Sequence, residues 1–342
     1  MKYPIRQTIL AALSLLLTMP GHADLVILQY HHISDEAPPS TSTTQSLFRS
    51  QLDMISDLSL EVVPLDQGTE AALNGSLHDT QQIAISFDDA YDSILHNAAP
   101  LLLERELPFT VFVNTDSVGH TGYLTWDQLK ELQRHPLVHL ANHSADHDHL
   151  VRRSDEAEPE WRQRVTTSLD RAQATIKRRL GTDTPLFAYP YGEFSSELEA
   201  LVASRGWYGY GQQSGAVGSS TAATRIPRFP MATGFGQLAT LKDKLLSKAF
   251  PIDGHSLPDS PIATNPPTLM LELPTEFDEQ RLACFASGQG RIPVTVTENG
   301  VSAQAPRAFS SRRFRYNCTY PAGDGRYFWL SQGWLDRDQP ED

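Results

Sequence analysis

The sequence predicts an α/β protein: a parallel sheet with crossover helices, either open or closed into a barrel, with a small all-β region behind it. Three observations carry that reading. Strand-like and helix-like segments alternate as far as about residue 255. A Pro-dense stretch, "LPDSPIATNPPT" from Leu257 to Thr268, then marks a linker. Beyond it come strand-like runs with no helical periodicity between them.

The first residues stand outside this rhythm. Lys2 and Arg6 precede the apolar run Ile9 to Met19, and Gly21-His22-Ala23 offers a small-x-small cleavage site. Residues 1–23 are therefore expected to be a secretory signal peptide, too short and wrongly flanked for a spanning helix. Its removal takes away two positive charges and no acids, moving the formal charge from −13 to −15. An acidic, exported chain, periplasmic or secreted, is not expected to bind nucleic acid, and no transmembrane segment is expected after cleavage. The length of 342 residues suits one large domain and a smaller one.

In chain order, strands are expected at Leu25–Tyr30, Val62–Val63, Ile83–Phe87, Phe109–Val113, Val138–Ala141, Leu186–Tyr189 and Trp207–Gly209. Between them, helices are expected at Ser46–Leu58, Ser93–Glu106, Thr125–Gln133, Trp161–Leu180 and Ser195–Ser204. After the linker, strands are expected at Leu269–Leu273, Ile292–Thr297, Arg313–Thr319 and Tyr327–Leu330. The organisation read from this is a large α/β domain over 24–256, a linker over 257–268, a small β-sandwich-like domain over 269–337 and an acidic tail over 338–342. Cys284 and Cys318 are the only cysteines, and in an exported chain they are expected to form one disulfide. The aromatics Tyr327, Phe328, Trp329 and Trp334 are read as core of the β domain.

Polar clusters punctuate the strand ends. "YHHIS" (Tyr30 to Ser34) ends the first strand, "AISFDDAYDS" carries Asp88 and Asp89, "ANHSADHDHL" carries His143 and His147, and "YPYGEF" carries Tyr191. Loops at the carboxyl ends of parallel strands gather on one face, so these clusters should meet. His143 and His147 are four apart, and one helical turn would place both imidazoles on the same side. Two histidines and one carboxylate form an open site for a divalent transition metal, zinc by default, with Co2+ or Ni2+ as substitutes. Such a cation would explain two adjacent aspartates: Asp89 can ligate it while Asp88 stays free as a base.

In this order, "SFDDAYDS", "HSADH" and "PYG" resemble the three leading motifs of the polysaccharide deacetylases, carbohydrate esterase family four, over roughly residues 24–250. The resemblance implies a distorted (β/α) barrel, Asp88 as general base, Asp89, His143 and His147 as metal ligands, and the Tyr191 backbone N–H as oxyanion donor. An arginine usual two residues before the motif proline is replaced by Ala188, and Arg225 or Arg228 in "TRIPRFPM" is a candidate substitute. The late leucine-x-histidine motif has no clear counterpart. "LQYHHIS" and "FAYPYGEF" are similar to the exported poly-N-acetylglucosamine deacetylase branch, which implies His31 in the active site. With no late histidine recognisable, His31 is expected to be the general acid, and His32 to point elsewhere if strand alternation persists through Tyr30.

Each element alone has a plainer reading: an N-cap and turn for Asp88-Asp89, surface histidines for HxxxH, a turn for PYG, and solvated or outer-layer groups for Asp146 and His149. Together they imply a metal-dependent hydrolase removing N-acetyl groups from an N-acetylated polysaccharide. An O-acetyl esterase on xylan-like polymers and a degenerate carbohydrate-binding module are the alternatives.

Overall fold

Six parallel strands follow one another in sequence order across the main sheet: Leu25–Tyr30, Gln82–Phe87, Phe109–Val113, Val138–Asn142, Leu186–Ala188 and Tyr208–Tyr210. This computed structural model describes residues 24–77, 80–298 and 300–341, so the signal peptide expected over 1–23 lies outside the described residues. Leu25–Tyr30 is buried at every position, as befits a strand covered on both faces. The crossover helices start where the sequence offers caps. The Thr44 hydroxyl accepts from the Leu47 N–H to start Gln45–Asp57, and Thr125 with Gln128 forms a capping box before Trp126–Gln133. Glu158–Leu180 stops at left-handed Gly181.

The sheet does not end in an open edge. Tyr210 bridges Ile226, and Phe229–Pro230 pairs parallel with Leu28–Gln29. The segment from Ile226 to Pro230 thus spans the gap between the last strand and the first, closing a distorted barrel. The expected fold class holds, and closure rather than an open sheet is what the chain adopts.

Two local differences have physical reasons. The expected helix Ser93–Glu106 is a π-turn, Ile94–Ala98, followed by Ala99–Glu104, because Pro100 in the first turn has no N–H to give the ladder. The helix Leu65–Leu73 was not expected, since Gly68 weakens its propensity. A Cβ at Gly68 would lie 2.8 Å from Val63 Cγ2 and 3.0 Å from Leu25 Cδ1, so the glycine serves close helix–strand packing.

Behind the barrel, two further sheets enclose a second core that includes Leu271, Cys284, Tyr316 and Trp334. The long hairpin Arg313–Gly323 and Arg326–Leu335 dominates the larger sheet. Cys284 and Cys318 are directly opposed on neighbouring strands and are disulfide-bonded. The chain enters this core before the expected linker: Lys248–Ala249 pairs with Phe328–Trp329, and Phe250 and Ile252 are buried in the second core. Nor does the 257–268 stretch hang as a tether, because the Ile262 N–H donates to Leu335 O and the Leu335 N–H to Ser260 O. Of the four aromatics, Phe328 and Trp334 join the second core. Trp329 packs instead against barrel residue Phe229 at 5.2 Å, and Tyr327 is exposed.

Candidate active site

The strand carrying "AISF" ends at Phe87, and the Asp88 N–H extends its ladder by donating to Tyr30 O. Asp89 and Ala90 then take left-handed conformations, φ 75° and 56°, at a cost of about 1–2 kcal/mol per residue. That double turn delivers the neighbouring carboxylates into different surroundings. Asp88 is fully buried and receives both arms of an equally buried guanidinium: Arg228 Nη1 to Oδ1 at 2.7 Å and Nη2 to Oδ2 at 2.8 Å. Gln29 Nε2 adds a third bond to Oδ2 at 2.6 Å. Burial pushes the Asp88 pKa up, but Arg228, with His143 and His31, outweighs it and holds the carboxyl below the ordinary range.

Arg228 belongs to the segment that closes the barrel, and its Nε donates to Gly211 O at 2.8 Å. Of the two arginines in "TRIPRFPM", it is Arg228 that reaches Asp88. Arg225 pairs with Glu199 instead.

Asp89, His143 and His147 offer ligand atoms that all lie within 4.8 Å of one another. Asp89 Oδ1 is 3.5 Å from His143 Nε2 and 3.2 Å from His147 Nε2. The histidines do not sit on a helical turn as expected. They lie on a loop in which Ser144 and His147 are left-handed, φ 65° and 53°. Side chains hold that loop: Asn142 Oδ1 accepts the Ser144 N–H at 2.8 Å, and Ser144 Oγ accepts the His147 N–H at 3.0 Å. The Asn114 amide donates to Asp89 Oδ1 at 3.4 Å.

The tautomer of His143 follows from its partner. Its Nδ1 lies 2.8 Å from Ala188 O, and a carbonyl only accepts, so Nδ1 carries the hydrogen and Nε2 presents a lone pair. That Nε2 is buried and has no hydrogen-bond partner among the described residues. Burial drives the His143 pKa down to about 3 and lowers that of His147, keeping both imidazoles neutral at neutral pH. Burial also lifts the Asp89 carboxyl to about 6, with Asp88 adding to the rise against the opposing charge of His31. Two neutral imidazoles and a desolvated carboxylate converging on one point are a donor set that fits a divalent transition metal.

"PYG" forms a tight turn in which Tyr191 and Gly192 are both left-handed, φ 58° and 69°. A Cβ at Gly192 would sit 2.6 Å from Gln212 Cβ, so only glycine fits. The Tyr191 ring lies flat on His149 at 4.0 Å and edge-on to His147 at 4.6 Å, while the Arg313 guanidinium is 5.1 Å from its centroid. Of the two readings of His149, the structure favours the outer layer over solvent: it is buried, and its Nδ1 is 2.9 Å from the buried Glu193 Oε2. Glu193 also takes bonds from Arg312 and Arg313, at the start of the C-terminal hairpin. Burial pushes Glu193 up, but His149 and Arg312 outweigh it and bring its pKa down to about 2.

Sequence reasoning missed Gln29, Asn114 and this Glu193 cluster. The available signal was Glu193 itself, an acid enclosed by apolar residues directly after the PYG turn. The two histidines of "YHHIS" part company. His31 is half-buried where its charge would depress both Asp88 and Asp89. His32 stacks on Tyr91 at 3.5 Å, its pKa lowered to about 4 by burial and by His31.

Residues 77–209 match the family model described as polysaccharide deacetylase. The chain is 23% identical over 185 residues to YxkH of Bacillus subtilis, covering 54% of this chain and 63% of that protein. It is 23% identical over 206 residues to the poly-beta-1,6-N-acetyl-D-glucosamine N-deacetylase of Staphylococcus aureus (strain MRSA252), covering 58% of this chain and 71% of that one. Among solved structures, IcaB from Ammonifex degensii shares the fold with a TM-score of 0.55 at 24% identity, over 64% of this chain and 94% of that one. The Streptococcus pyogenes deacetylase PplD does so with a TM-score of 0.55 at 21% identity, over 63% and 94%. No described helix is long and apolar enough to cross a membrane. With its motifs at the strand ends of the barrel, the chain matches the polysaccharide deacetylase family over residues 77–209, the stretch that holds Asp88, Asp89, His143, His147 and Tyr191.

Proposed function

We propose that the protein is an exported hydrolase that removes N-acetyl groups from an N-acetylglucosamine-containing polysaccharide (poly-N-acetylglucosamine, chitin-like or peptidoglycan) and releases acetate. The observation that carries this reading is the buried convergence of Asp89, His143 and His147 beside an Asp88 held ionised by Arg228. The polymer named for the Staphylococcus aureus relative, poly-beta-1,6-N-acetyl-D-glucosamine, supports this choice.

Asp89, His143 Nε2 and His147 Nε2 would hold the metal, zinc by default. When bound, it supplies Lewis acidity toward an acyl oxygen and a water. Asp88 takes the proton that the attacking water loses. Its depressed pKa means that it accepts only from a water already made acidic, which ties its role to the adjacent triplet. The Tyr191 backbone N–H donates to the oxygen that becomes negative as the carbonyl carbon turns tetrahedral. When the C–N bond breaks, the amine needs a proton, and His31 is the acid assigned to deliver it.

Acetate release should be measured on poly-N-acetylglucosamine, chitin oligomers, peptidoglycan and acetylated xylan, with metal content determined on the same sample. Release from the N-acetylated polymers is expected. Release from xylan alone would make the protein an O-acetyl esterase, and release from none would leave a binding module. His143→Ala should lose metal and activity together. His31→Ala should keep its metal and lose about 10²-fold in rate on amides, with a smaller loss on an activated acetyl ester. Equal losses on both substrates would move the acid elsewhere.

A further inference from the structure

Between the barrel and the C-terminal sheet lies a cleft of about 470 Å³ that reaches the PYG turn at Tyr191 and Gly192. Its wall on one side is the hairpin Arg313–Leu335, whose residues alternate in direction. Tyr316 and Cys318 enter the second core, Phe314 touches both that core and the cleft, and Arg313, Arg315 and Asn317 line the cleft. The residue paired across the hairpin with Arg315 is Gly333, and a Cβ built there meets nothing within 4 Å. The missing side chain keeps the space beside Arg315 open.

The charge in this cleft is opposite to that of the protein. Arg313, Arg315 and Lys244 line it, in a chain of net charge −13. The one carboxylate among its lining residues is Glu193, already engaged by His149, Arg312 and Arg313. Arg315 donates from Nη1 to Gln212 O at 2.8 Å and meets no carboxylate among the described residues. Burial lowers the pKa of Arg315, and that of Lys244 to about 8. Around these cations, the lining residues Asn317, Ser260 and Trp329 each hold a buried polar atom without a partner among the described residues: Oδ1, Oγ and Nε1.

Cations partly withdrawn from water call for a counter-anion. A guanidinium with most of its fork unused matches a carboxylate in two-point geometry. An unpaired amide oxygen, hydroxyl and indole N–H match sugar hydroxyls. We infer that this cleft is a binding subsite for a saccharide residue bearing a carboxylate, with Arg315 gripping the acid and Asn317, Ser260 and Trp329 taking the ring hydroxyls. The volume lies within the range of small-ligand sites. Because the cleft runs to Tyr191, an acidic sugar seated there can belong to the same glycan whose acetyl group reaches Asp88 and Asp89. The subsite goes beyond the proposed deacetylation, and its binding is measurable without turnover.

The test is titration calorimetry on the full chain with D-glucuronic acid and N-acetylmuramic acid, using N-acetylglucosamine and acetate as controls. Both acidic sugars should bind at least tenfold more tightly than either control. Arg315→Met and, separately, Gly333→Leu should each weaken that binding at least tenfold, the second by filling open space without removing a charge. His143→Ala should leave it unchanged, which separates the subsite from the deacetylase centre. Equal affinity for N-acetylglucosamine would show that no carboxylate is read, and equal affinity for acetate would reduce the site to an anion hole. Binding that survives Gly333→Leu, or that disappears in His143→Ala, would place the sugar elsewhere. Any of these overturns the inference.

Discussion

Asp88 inside the barrel and Glu193 at the barrel's border with the C-terminal sheet are both buried acids held ionised by arginine, yet they are built differently. Asp88 has one cationic partner, Arg228, and the pair is closed to solvent, with both side chains 0% exposed. Glu193 is shared among Arg312, Arg313 and His149, partners drawn from both sides of the border. A private pair leaves little room for substitution but fixes one carboxylate in one orientation, as a proton acceptor needs. A shared acid spreads its interaction over several donors, so losing any one is softened by the rest. The first arrangement suits chemistry, and the second suits holding two parts of a chain together.

The largest effect should come from Asp88→Asn. Turnover should fall about 10²–10⁴-fold, since an amide cannot take the proton, while metal content stays at the wild-type level. Loss of metal in that variant would mean that Asp88, not Asp89, is the ligand. Arg228→Met comes next. Stranding a buried carboxylate should cost about 3–5 kcal/mol in urea unfolding, and combining it with Asp88→Asn should recover much of that stability but none of the turnover. A double variant as unstable as the sum of the singles would show that the two residues are not a private pair.

Glu193→Gln should cost less, about 1–3 kcal/mol, and it should change the pH dependence. Glu193 has a folded pKa of about 2, below the value near 4.3 of an unfolded glutamate. Its contribution is therefore complete above about pH 5 and is lost as the pH falls towards 2. Urea midpoints followed from pH 6 down to 3 should decline less steeply in Glu193→Gln than in the wild type. Parallel declines would remove Glu193 from the acid-sensitive groups.

Much of the catalytic half was legible in the sequence because its signals are local. The strands of the barrel are short apolar runs, and each chemical group follows one of them at fixed spacing. What escaped depends on distance or on tertiary support. Arg228 and Arg225 are indistinguishable as letters, and only barrel closure decides which of them meets Asp88. The 143–147 pair looked helical by spacing, but Ser144 and Asn142 hold it as a loop whose left-handed turns no periodicity reveals. His149 could be read only as solvated or outer-layer, because its partner Glu193 lies 44 positions away, and Arg312 and Arg313 lie 119 and 120 positions from that acid. Trp329 and Trp334 sit on one strand, but only the fold shows that one serves the barrel and the other the second core.

The closing segment from Ile226 to Pro230 also sets an order of events. Asp88 and its counter-charge are separated by 140 positions, so the chain must draw together over most of the barrel's length before they can meet, a slow kind of contact to form. Until the barrel shuts, a chain that already holds Asp88, Asp89, His143 and His147 has no guanidinium to neutralise the acid it is burying. A nascent or truncated chain ending before residue 226 would carry every leading motif without the guanidinium that pairs with Asp88. Barrel closure is thus the step at which Asp88 acquires its counter-charge.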